Sequence, residues 1–238
     1  MEIFEKRDAL ISRLQGKTAE AGDRQTLGFV PTMGALHDGH LTLIRKAKEE
    51  NRTVVCSIFV NPLQFNDPGD LARYPRTPEP DREKLISAGC DVLFSPSVKE
   101  MYPEEESFPE EEVPGFGDLE EVMEGAFRKG HFRGMAAVVS RLFRIVRPSC
   151  AYFGEKDFQQ LLIVRKLVQL CRFPVRIIGC PTLREADGLA MSSRNVRLSA
   201  TERKEAALIP RILFFIRENR ARHSPVEARE HVDSAFRG

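Results

Sequence analysis

The chain has 238 residues, of which 42% are hydrophobic and 30% are charged, the balance of an ordinary globular protein that can bury a sizeable core. Its formal net charge of +1 excludes a global field that would draw it to nucleic acid or to a membrane surface. Its five cysteines are widely spaced and form no C-x-x-C pair, which argues against a disulfide framework and a zinc site, so a reducing compartment fits best.

The first residues of the given sequence do not predict a signal peptide. Residues 1–15 are charged throughout and lack the apolar core and small-residue cleavage site of a signal peptide. No stretch approaches the roughly 20 apolar residues that cross a bilayer. We therefore expect a cytoplasmic protein that binds neither membrane nor nucleic acid.

Strand-like and helix-like segments alternate through the first three-quarters of the chain. The predicted strands are 27–33, 53–60, 91–94, 150–153 and 175–179. The predicted helices are 39–50, 78–89, 134–146 and 157–171. The acidic segment 100–117, rich in proline and glycine, is predicted to be a long surface loop. The alternation predicts an α/β fold, a Rossmann-like doubly wound parallel sheet with helices on both faces.

The character of the chain changes after Pro181. Residues 184–195 are predicted to form a polar loop. The capping box that runs from Ser199 to Glu202 predicts a long helix that reaches about Arg220, and Ser224-Pro225 predicts the start of another. We therefore expect two domains, 1–182 and 183–238, the second smaller and mainly helical.

The first candidate motif is PTMGALHDGH, residues 31–40, at a predicted strand-to-helix junction. The amino end of a helix offers unpaired N–H groups that suit phosphate, and Gly39 lets a phosphate approach the backbone. His37 and His40 lie three residues apart and could donate to one phosphate group. The alternative is a helix cap with two surface histidines.

The second candidate motif is FGEKDFQQ, residues 153–160, at another predicted strand-to-helix junction. Lys156 supplies a flexible positive charge that suits phosphate. In the alternative interpretation Asp157 only caps the helix, with Gln160 as its capping-box partner.

The third candidate motif, residues 184–195, contains two hydroxyls and a guanidinium in succession, Ser192, Ser193 and Arg194. These groups could form a mobile phosphate clamp. The alternative is a solvated linker with turn chemistry.

The fourth candidate motif is FVNPLQF, residues 59–65, at the end of the second predicted strand. The amide of Gln64 can both donate and accept hydrogen bonds, which suits a small polyhydroxy acid. An ordinary polar turn is the alternative.

Together the four motifs resemble the pantothenate synthetases, or pantoate–β-alanine ligases, from about Leu27 to about Ser199. That family belongs to the H-I-G-H class of nucleotidyl-transferring Rossmann folds, alongside the class I aminoacyl-tRNA synthetases. Here the signature is His37-Asp-Gly-His40, and the segment from Met191 to Arg194 looks like the counterpart of the K-M-S-K-S loop.

The resemblance implies a role for each matching residue. The implied catalytic residues, which contact the ATP phosphates, are His37, His40, Lys156, Ser192, Ser193 and Arg194. The implied remaining ATP contacts are Met33, Gly39, Gly154, Asp157, Leu183 and Met191. The implied pantoate contacts are Asn61, Gln64 and Gln160. The resemblance also implies Mg²⁺ bound with ATP, a homodimer and a cytoplasmic location.

The implied reaction activates pantoate with ATP as an adenylate, which the amine of β-alanine then attacks. Because the substrates supply both nucleophiles, the protein must mainly position groups and stabilise charge on the phosphates. Mg²⁺ would bind through phosphate oxygens and water, so no protein metal site is expected. Family members usually continue into a small antiparallel sheet, so we expect a shortened C-terminal domain here.

Two other functions remain open. One is a nucleotidylyltransferase of the same fold, which would transfer a nucleotide and stop there. The other is a non-catalytic nucleotide-binding module. A tRNA synthetase is disfavoured, since the chain has no room for an anticodon-binding domain and little net basicity.

Overall fold

The computed structural model describes residues 1–20, 26–103 and 113–237, without the side chains of residues 17–20. Part of the predicted loop at 100–117 therefore lies outside the described residues. The chain divides into two compact units, Met1–Pro181 and Thr182–Gly238, which are described separately below.

The first unit is built on one six-stranded parallel sheet. Its strands are β1 (Glu2–Phe4), β2 (Leu27–Thr32), β3 (Thr53–Ile58), β4 (Val92–Phe94), β5 (Cys150–Gly154) and β6 (Arg176–Cys180). They lie in the order β1-β4-β3-β2-β5-β6, and every ladder between them is parallel. The five strands predicted from the sequence are confirmed, with ends that differ by up to two residues, and β1 is an addition at the edge.

Eight α-helices accompany the strands in the described part of the first unit. They are α1 (Arg7–Glu20), α2 (Asp38–Glu50), α3 (Pro68–Arg73), α4 (Pro78–Ser87), α5 (Val98–Met101), α6 (Glu124–Phe127), α7 (His131–Val146) and α8 (Phe158–Cys171). The prediction that α7 begins at Gly134 was wrong by one turn. Gly134 lies inside the helix, at a point where the helix packs directly against the backbone of Leu63. A Cβ there would lie 2.1 Å from the carbonyl oxygen of Leu63, so the contact requires glycine.

Side chains that alternate along the strands form two cores, one on each face of the sheet. Phe29 and Val55 belong to the core that α7 and α8 cover. Val30 and Val54 point the other way, into the core that α2 and α4 cover. Because successive strand residues face opposite sides, both faces need a helical layer. The predicted doubly wound α/β fold is confirmed.

The chain reverses its direction of travel across the sheet between the neighbouring strands β2 and β5. The ladder between them joins Gly28 to Cys150 and Phe29 to Ala151, near the amino ends of both strands. In open α/β sheets, ligands bind at such a switch point, outside the carboxyl ends of the strands. The segments that follow β2 and β5 are therefore the first place to look for a site.

The second unit is mainly helical in its described part. Its α-helices are α9 (Ala200–Glu205), α10 (Leu208–Asn219) and α11 (Pro225–Ala235). The capping box predicted between Ser199 and Glu202 is confirmed in both directions, at 2.8 and 3.3 Å. The single long helix predicted after it was wrong, because the helix breaks at 206–207. Pro210 has no N–H to donate to the carbonyl of residue 206, so a new helix begins instead.

Among the described residues, no helix combines the length and the apolar character that crossing a membrane requires.

Candidate active site

The chain leaves β2 through a tight turn held by a buried carboxylate. Gly34 and Ala35 both have left-handed backbone, with φ of +79° and +48°. The carboxylate of Asp81, from α4, accepts the N–H groups of Ala35 and Leu36 at 2.8 and 2.7 Å. It also accepts the Thr77 hydroxyl at 3.1 Å, and Asp81 is 1% exposed. This clamp determines where α2 begins.

The two histidines of the first motif cap α2 reciprocally. Nδ1 of His37 accepts the N–H of Gly39 at 3.2 Å, and the N–H of His37 donates to Nδ1 of His40 at 3.3 Å. The two rings lie 4.1 Å apart, centre to centre. Since both Nδ1 atoms accept hydrogen bonds, the N–H that each ring can donate is on Nε2. The cap and the phosphate-binding interpretations are therefore compatible.

His40 is neutral under ordinary conditions. Burial, followed by the nearby His37, Lys156 and Lys84, lowers the pKa of His40 from 6.5 to about 3. Lys84 itself donates to the carbonyl oxygen of Leu36 at 2.6 Å. The amino end of α2 thus presents neutral N–H donors, and lysine ammonium groups supply positive charge near them.

The second motif follows β5 at the switch point. A Cβ at Gly154 would meet no atom of a non-neighbouring described residue within 4 Å, so this strand end is open. Asp157 occupies the N-cap position of α8, but its side chain accepts no capping hydrogen bond there. It instead contacts the ammonium of Lys156, with 3.0 Å between Oδ1 and Nζ. The alternative capping box with Gln160 is therefore wrong.

The fourth motif forms a short 3-10 turn, Pro62–Gln64, capped by the fully buried Asn61. The side-chain amide of Asn61 donates to Oε1 of Gln64 at 3.3 Å and to the carbonyl oxygen of Gly134 at 3.0 Å. Nε2 of Gln64 lies 2.9 Å from Sδ of Met33, just after β2. The motif is thus a polar turn that is buried and hydrogen-bonded, and its role in binding pantoate stays a prediction.

Helix α7 holds the same turn from its other side. Nδ1 of the buried His131 donates to the carbonyl oxygen of Gln64 at 2.7 Å. Gly134, one turn later, brings the helix backbone against Leu63. His131 and Gly134 are not among the residues predicted to form the site. No local pattern marks His131, because the carbonyl group that it bonds lies 67 positions away in the chain.

The paired glutamines of the second motif separate into different environments. Gln159 is buried, and its amide bonds the backbone of Leu119, Val122 and Glu124 at 2.8 to 3.0 Å. Gln160 is half-buried, and in the described part of the chain its amide has no hydrogen-bond partner. Gln159 therefore fastens the 117–124 segment to α8, and the Gln160 amide is the one left for a ligand.

The third motif, in the second unit, is a compact hairpin. The N–H of Met191 donates to the carbonyl oxygen of Leu183 at 3.0 Å, and that of Glu185 to Leu189 at 2.7 Å. Gly188, with φ of +89°, makes the bend. The segment is thus an ordered hairpin with turn chemistry, and its role as a phosphate clamp stays a prediction.

The hydroxyl-rich turn follows the hairpin directly. Oγ of Ser192 accepts the N–H of Arg194 at 3.2 Å, and the Asn195 amide donates to the carbonyl oxygen of Ala190 at 3.1 Å. The guanidinium of Arg203 binds both carboxylate oxygens of Asp187, at 2.5 and 3.2 Å, which fastens the hairpin to α9. Ser192, Ser193 and Arg194 thus form one ordered turn.

A family model described as pantoate-beta-alanine ligase matches residues 2–237. The chain belongs to the pantoate–β-alanine ligase family. The pantothenate synthetase of Porphyromonas gingivalis is 52% identical over 226 residues, which is 94% of this chain and 78% of that protein. That of Thermus thermophilus is 55% identical over 195 residues, 82% of this chain and 70% of that one.

Solved structures agree with this assignment. The crystal structure of a Thermus thermophilus pantothenate synthetase has a TM-score of 0.90 at 48% identity, covering 100% of this chain and 82% of that one. The Francisella tularensis pantoate-beta-alanine ligase, complexed with beta-gamma ATP and beta-alanine, has a TM-score of 0.84 at 38% identity, covering 99% and 86%. The Archaeoglobus fulgidus tyrosyl-tRNA synthetase, at 12% identity and a TM-score of 0.52 over 84% and 73%, shares the fold alone.

The structure brings together some of the residues implied by the ligase resemblance. His37, His40 and Lys156 lie at the switch point, and Gln64 contacts Met33 beside it. The others implied for this unit are Gly39, Asn61, Gly154, Asp157 and Gln160. Those in the second unit are Leu183, Met191, Ser192, Ser193 and Arg194. Among the described residues, no three His, Cys, Asp or Glu side chains are grouped to hold a metal ion.

Proposed function

We propose that this chain condenses pantoate with β-alanine, using ATP, and releases pantothenate, AMP and pyrophosphate. The observation that carries the proposal is the pair of imidazoles at the amino end of α2, of which His40 is neutral, with Lys156 near them. A helix amino end with fixed N–H donors and an ammonium group is suited to phosphates. Its position at the switch point, in a chain of this ligase family, supports ATP as the ligand.

The reaction proceeds in two steps. A carboxylate oxygen of pantoate attacks the α-phosphorus of ATP, a P–O bond forms, and the P–O bond to pyrophosphate breaks. The uncharged amine of β-alanine then attacks the acyl carbon of the adenylate. The C–O bond breaks, AMP leaves with the carboxylate oxygen, and the amine loses its proton to solvent.

The phosphates are bound by His37, His40 and Lys156 in the first unit. Because His40 is neutral, its Nε2–H stabilises a phosphate oxygen without giving up a proton, and Lys156 supplies the positive charge. Gly39 and Gly154 allow close approach at the two helix starts. Met33 and Asp157 complete the nucleotide contacts of this unit.

Pantoate is bound by Gln64 and Gln160. The side-chain amide of the half-buried Gln160 can bond a ligand, and the side-chain NH₂ group of Gln64 points towards Met33. Asn61 is 0% exposed, and both ends of its amide are already hydrogen-bonded. We therefore assign Asn61 a positioning role, in which it holds Gln64 and does not itself contact pantoate.

The second unit supplies the remaining nucleotide contacts. Leu183 and Met191 hold the nucleoside, and Ser192, Ser193 and Arg194 bind phosphate. The hydrogen-bonded turn at 192–195 supports this proposal, since it presents two hydroxyls and a guanidinium from one ordered segment. The first unit is then the ATP- and pantoate-binding domain, and the second is a lid domain.

Mg²⁺ fits this site as part of Mg²⁺–ATP. The buried carboxylate nearest the α2 start, Asp81, is already occupied by two N–H groups and a hydroxyl. Phosphate oxygens and water would therefore hold the ion, which neutralises phosphate charge when bound. We also propose a homodimer, from the family resemblance, and a cytoplasmic location, which the five free cysteines support.

Pyrophosphate release from Mg²⁺-ATP tests the proposal, first with pantoate alone and then with β-alanine added. We expect release that requires pantoate, with pantothenate and AMP formed only after β-alanine is added. Nucleotide binding without release under either condition would favour a non-catalytic binding module. Transfer of AMP to a different acceptor would favour a nucleotidylyltransferase.

A further inference from the structure

The amide of Asn61 is held in one orientation by backbone groups. Its Oδ1 accepts the N–H of Leu63 at 3.3 Å, and its Nδ2 donates to the carbonyl oxygen of Gly134 at 3.0 Å. A backbone N–H can only donate, and a carbonyl oxygen can only accept. The oxygen and nitrogen ends of Asn61 are therefore distinguished by groups whose roles cannot reverse.

The orientation of Asn61 passes to Gln64. Nδ2 of Asn61 donates to Oε1 of Gln64 at 3.3 Å, so the oxygen end of the Gln64 amide faces inward. Its NH₂ end must then face the other way, where it lies 2.9 Å from the sulfur of Met33. A thioether is only a weak acceptor, so a carboxylate or hydroxyl oxygen of a ligand is a better partner for these N–H groups.

Tyr102 completes this chain of hydrogen bonds. Its hydroxyl donates to Oδ1 of Asn61 at 2.8 Å, the shorter of the two bonds that this oxygen accepts. We propose that Tyr102 is a positioning residue for pantoate, which keeps the Asn61 amide and hence the N–H donors of Gln64 directed at the substrate. This inference rests on the proposed function.

The ring of Tyr102 is held independently of its hydroxyl. It packs edge-on against Phe59, with 5.9 Å between ring centres, and the guanidinium of Arg141 lies 5.6 Å from its ring centre. Its backbone N–H closes α5 by donating to Val98 at 2.8 Å. A Tyr102→Phe change therefore removes the hydroxyl and keeps the packing.

The test measures pantoate affinity of the full chain by calorimetry, with a non-hydrolysable ATP analogue present, alongside steady-state kinetics. Tyr102→Phe is expected to raise the pantoate Kd and KM about fivefold to tenfold, the range for one lost hydrogen bond. The KM for ATP and the kcat at saturating pantoate are expected to stay within about twofold of the parent values.

Tyr152→Phe is the matched control. Tyr152 is buried, whereas Tyr102 is half-buried. The hydroxyl of Tyr152 donates to Glu50 at 2.8 Å and accepts from Asn51 at 2.6 Å, at the far end of α2. It should lower thermal stability at least as much as Tyr102→Phe while leaving the pantoate Kd unchanged.

An unchanged pantoate Kd in Tyr102→Phe overturns the inference, as does an equal loss of ATP and pantoate affinity in both variants. Pantoate binding without pyrophosphate release from the parent protein would overturn the proposed reaction alone, because the Kd comparison still tests Tyr102. A parent protein that binds no pantoate would overturn both.

Discussion

The backbone N–H of His37 donates to Nδ1 of His40, which leaves Nε2–H of His40 as its remaining hydrogen-bonding group. One hydrogen bond thus fixes the tautomer of the ring, and with it the atom that can reach a phosphate. The low pKa of His40, about 3, keeps that ring neutral near pH 7.

Replacing His40 with alanine removes this donor. We expect adenylate formation to slow about 10²-fold to 10³-fold, the usual effect of removing one preorganised donor. The pantoate Kd should change less than about threefold, because Gln64 and its partners are untouched. Single-turnover pyrophosphate release and calorimetry measure the two quantities. His223→Ala, an exposed histidine in the second unit, is the control, and equal rates for His40→Ala and the parent would contradict this role.

The pKa of His40 also predicts a pH dependence of stability. Folding lowers the pKa of His40 from 6.5 to about 3, so between these values the unfolded chain binds the proton and the folded chain does not. Above about pH 6.5 His40 does not lower the free energy of unfolding. As the pH drops from 6.5 towards 3, the free energy of unfolding falls by up to about 1.4 kcal/mol per pH unit.

Urea unfolding of the parent and of His40→Gln at pH 7, 6, 5 and 4 measures this dependence. The free energy of unfolding of the variant should fall less steeply below pH 6.5 than that of the parent. Parallel curves would show that His40 titrates alike in the folded and unfolded chains.

Asp81→Asn tests the clamp on the turn before α2. The carboxylate of Asp81 accepts the backbone N–H groups of Ala35 and Leu36 at 2.8 and 2.7 Å. The NH₂ group of an asparagine would face one of these N–H donors, which would then lose its acceptor. We expect the free energy of unfolding to fall by about 2 to 3 kcal/mol and the KM for ATP to rise. Denaturant unfolding and ATP kinetics measure both. The exposed Asp233→Asn is the control, and a variant as stable as that control would refute the clamp.

Gly134→Ala tests the close packing of α7 against the Gln64 turn. A Cβ there would lie 2.1 Å from the carbonyl oxygen of Leu63 and 2.9 Å from the nitrogen of Gln64, so the turn must move. We expect a loss of about 1 to 3 kcal/mol of stability and a raised pantoate KM.

Gly16→Ala, in the open part of α1, is the matched change. Apart from its chain neighbours and the nearby backbone of α1, no described atom lies within 4 Å of its Cβ position, so this change should stabilise the chain by up to about 1 kcal/mol. Equal behaviour of the two variants in thermal melts and pantoate kinetics would show that α7 tolerates a methyl group at this contact.

Features with short-range causes were predictable from the sequence. The Ser199 and Glu202 capping box, the strand alternation and the glycine and histidine signals at residues 34–40 all depend on neighbours a few positions away. The parallel sheet was also predictable, because runs of β-branched residues alternate along the chain with segments whose apolar residues recur at helical spacing.

Features with distant partners were not predictable. Asp81 clamps a turn 45 and 46 positions away, and His131 bonds a carbonyl 67 positions away, so neither had a local pattern. The strand β1 has three residues and gains its ladder from β4, which is distant from it in the chain. The break before α10 was missed although Pro210 signals it, since the apolar period continues across the break.

The central claim is that pantoate is activated as an acyl adenylate, and oxygen transfer tests it most directly. Pantoate labelled with ¹⁸O at both carboxylate oxygens is incubated with Mg²⁺-ATP and β-alanine. Mass spectrometry then measures the ¹⁸O content of the products. Attack of the carboxylate on the α-phosphorus, followed by cleavage of the acyl C–O bond, predicts one ¹⁸O atom in each AMP and one in each pantothenate. AMP without label, or label in inorganic phosphate with ADP, would contradict the account.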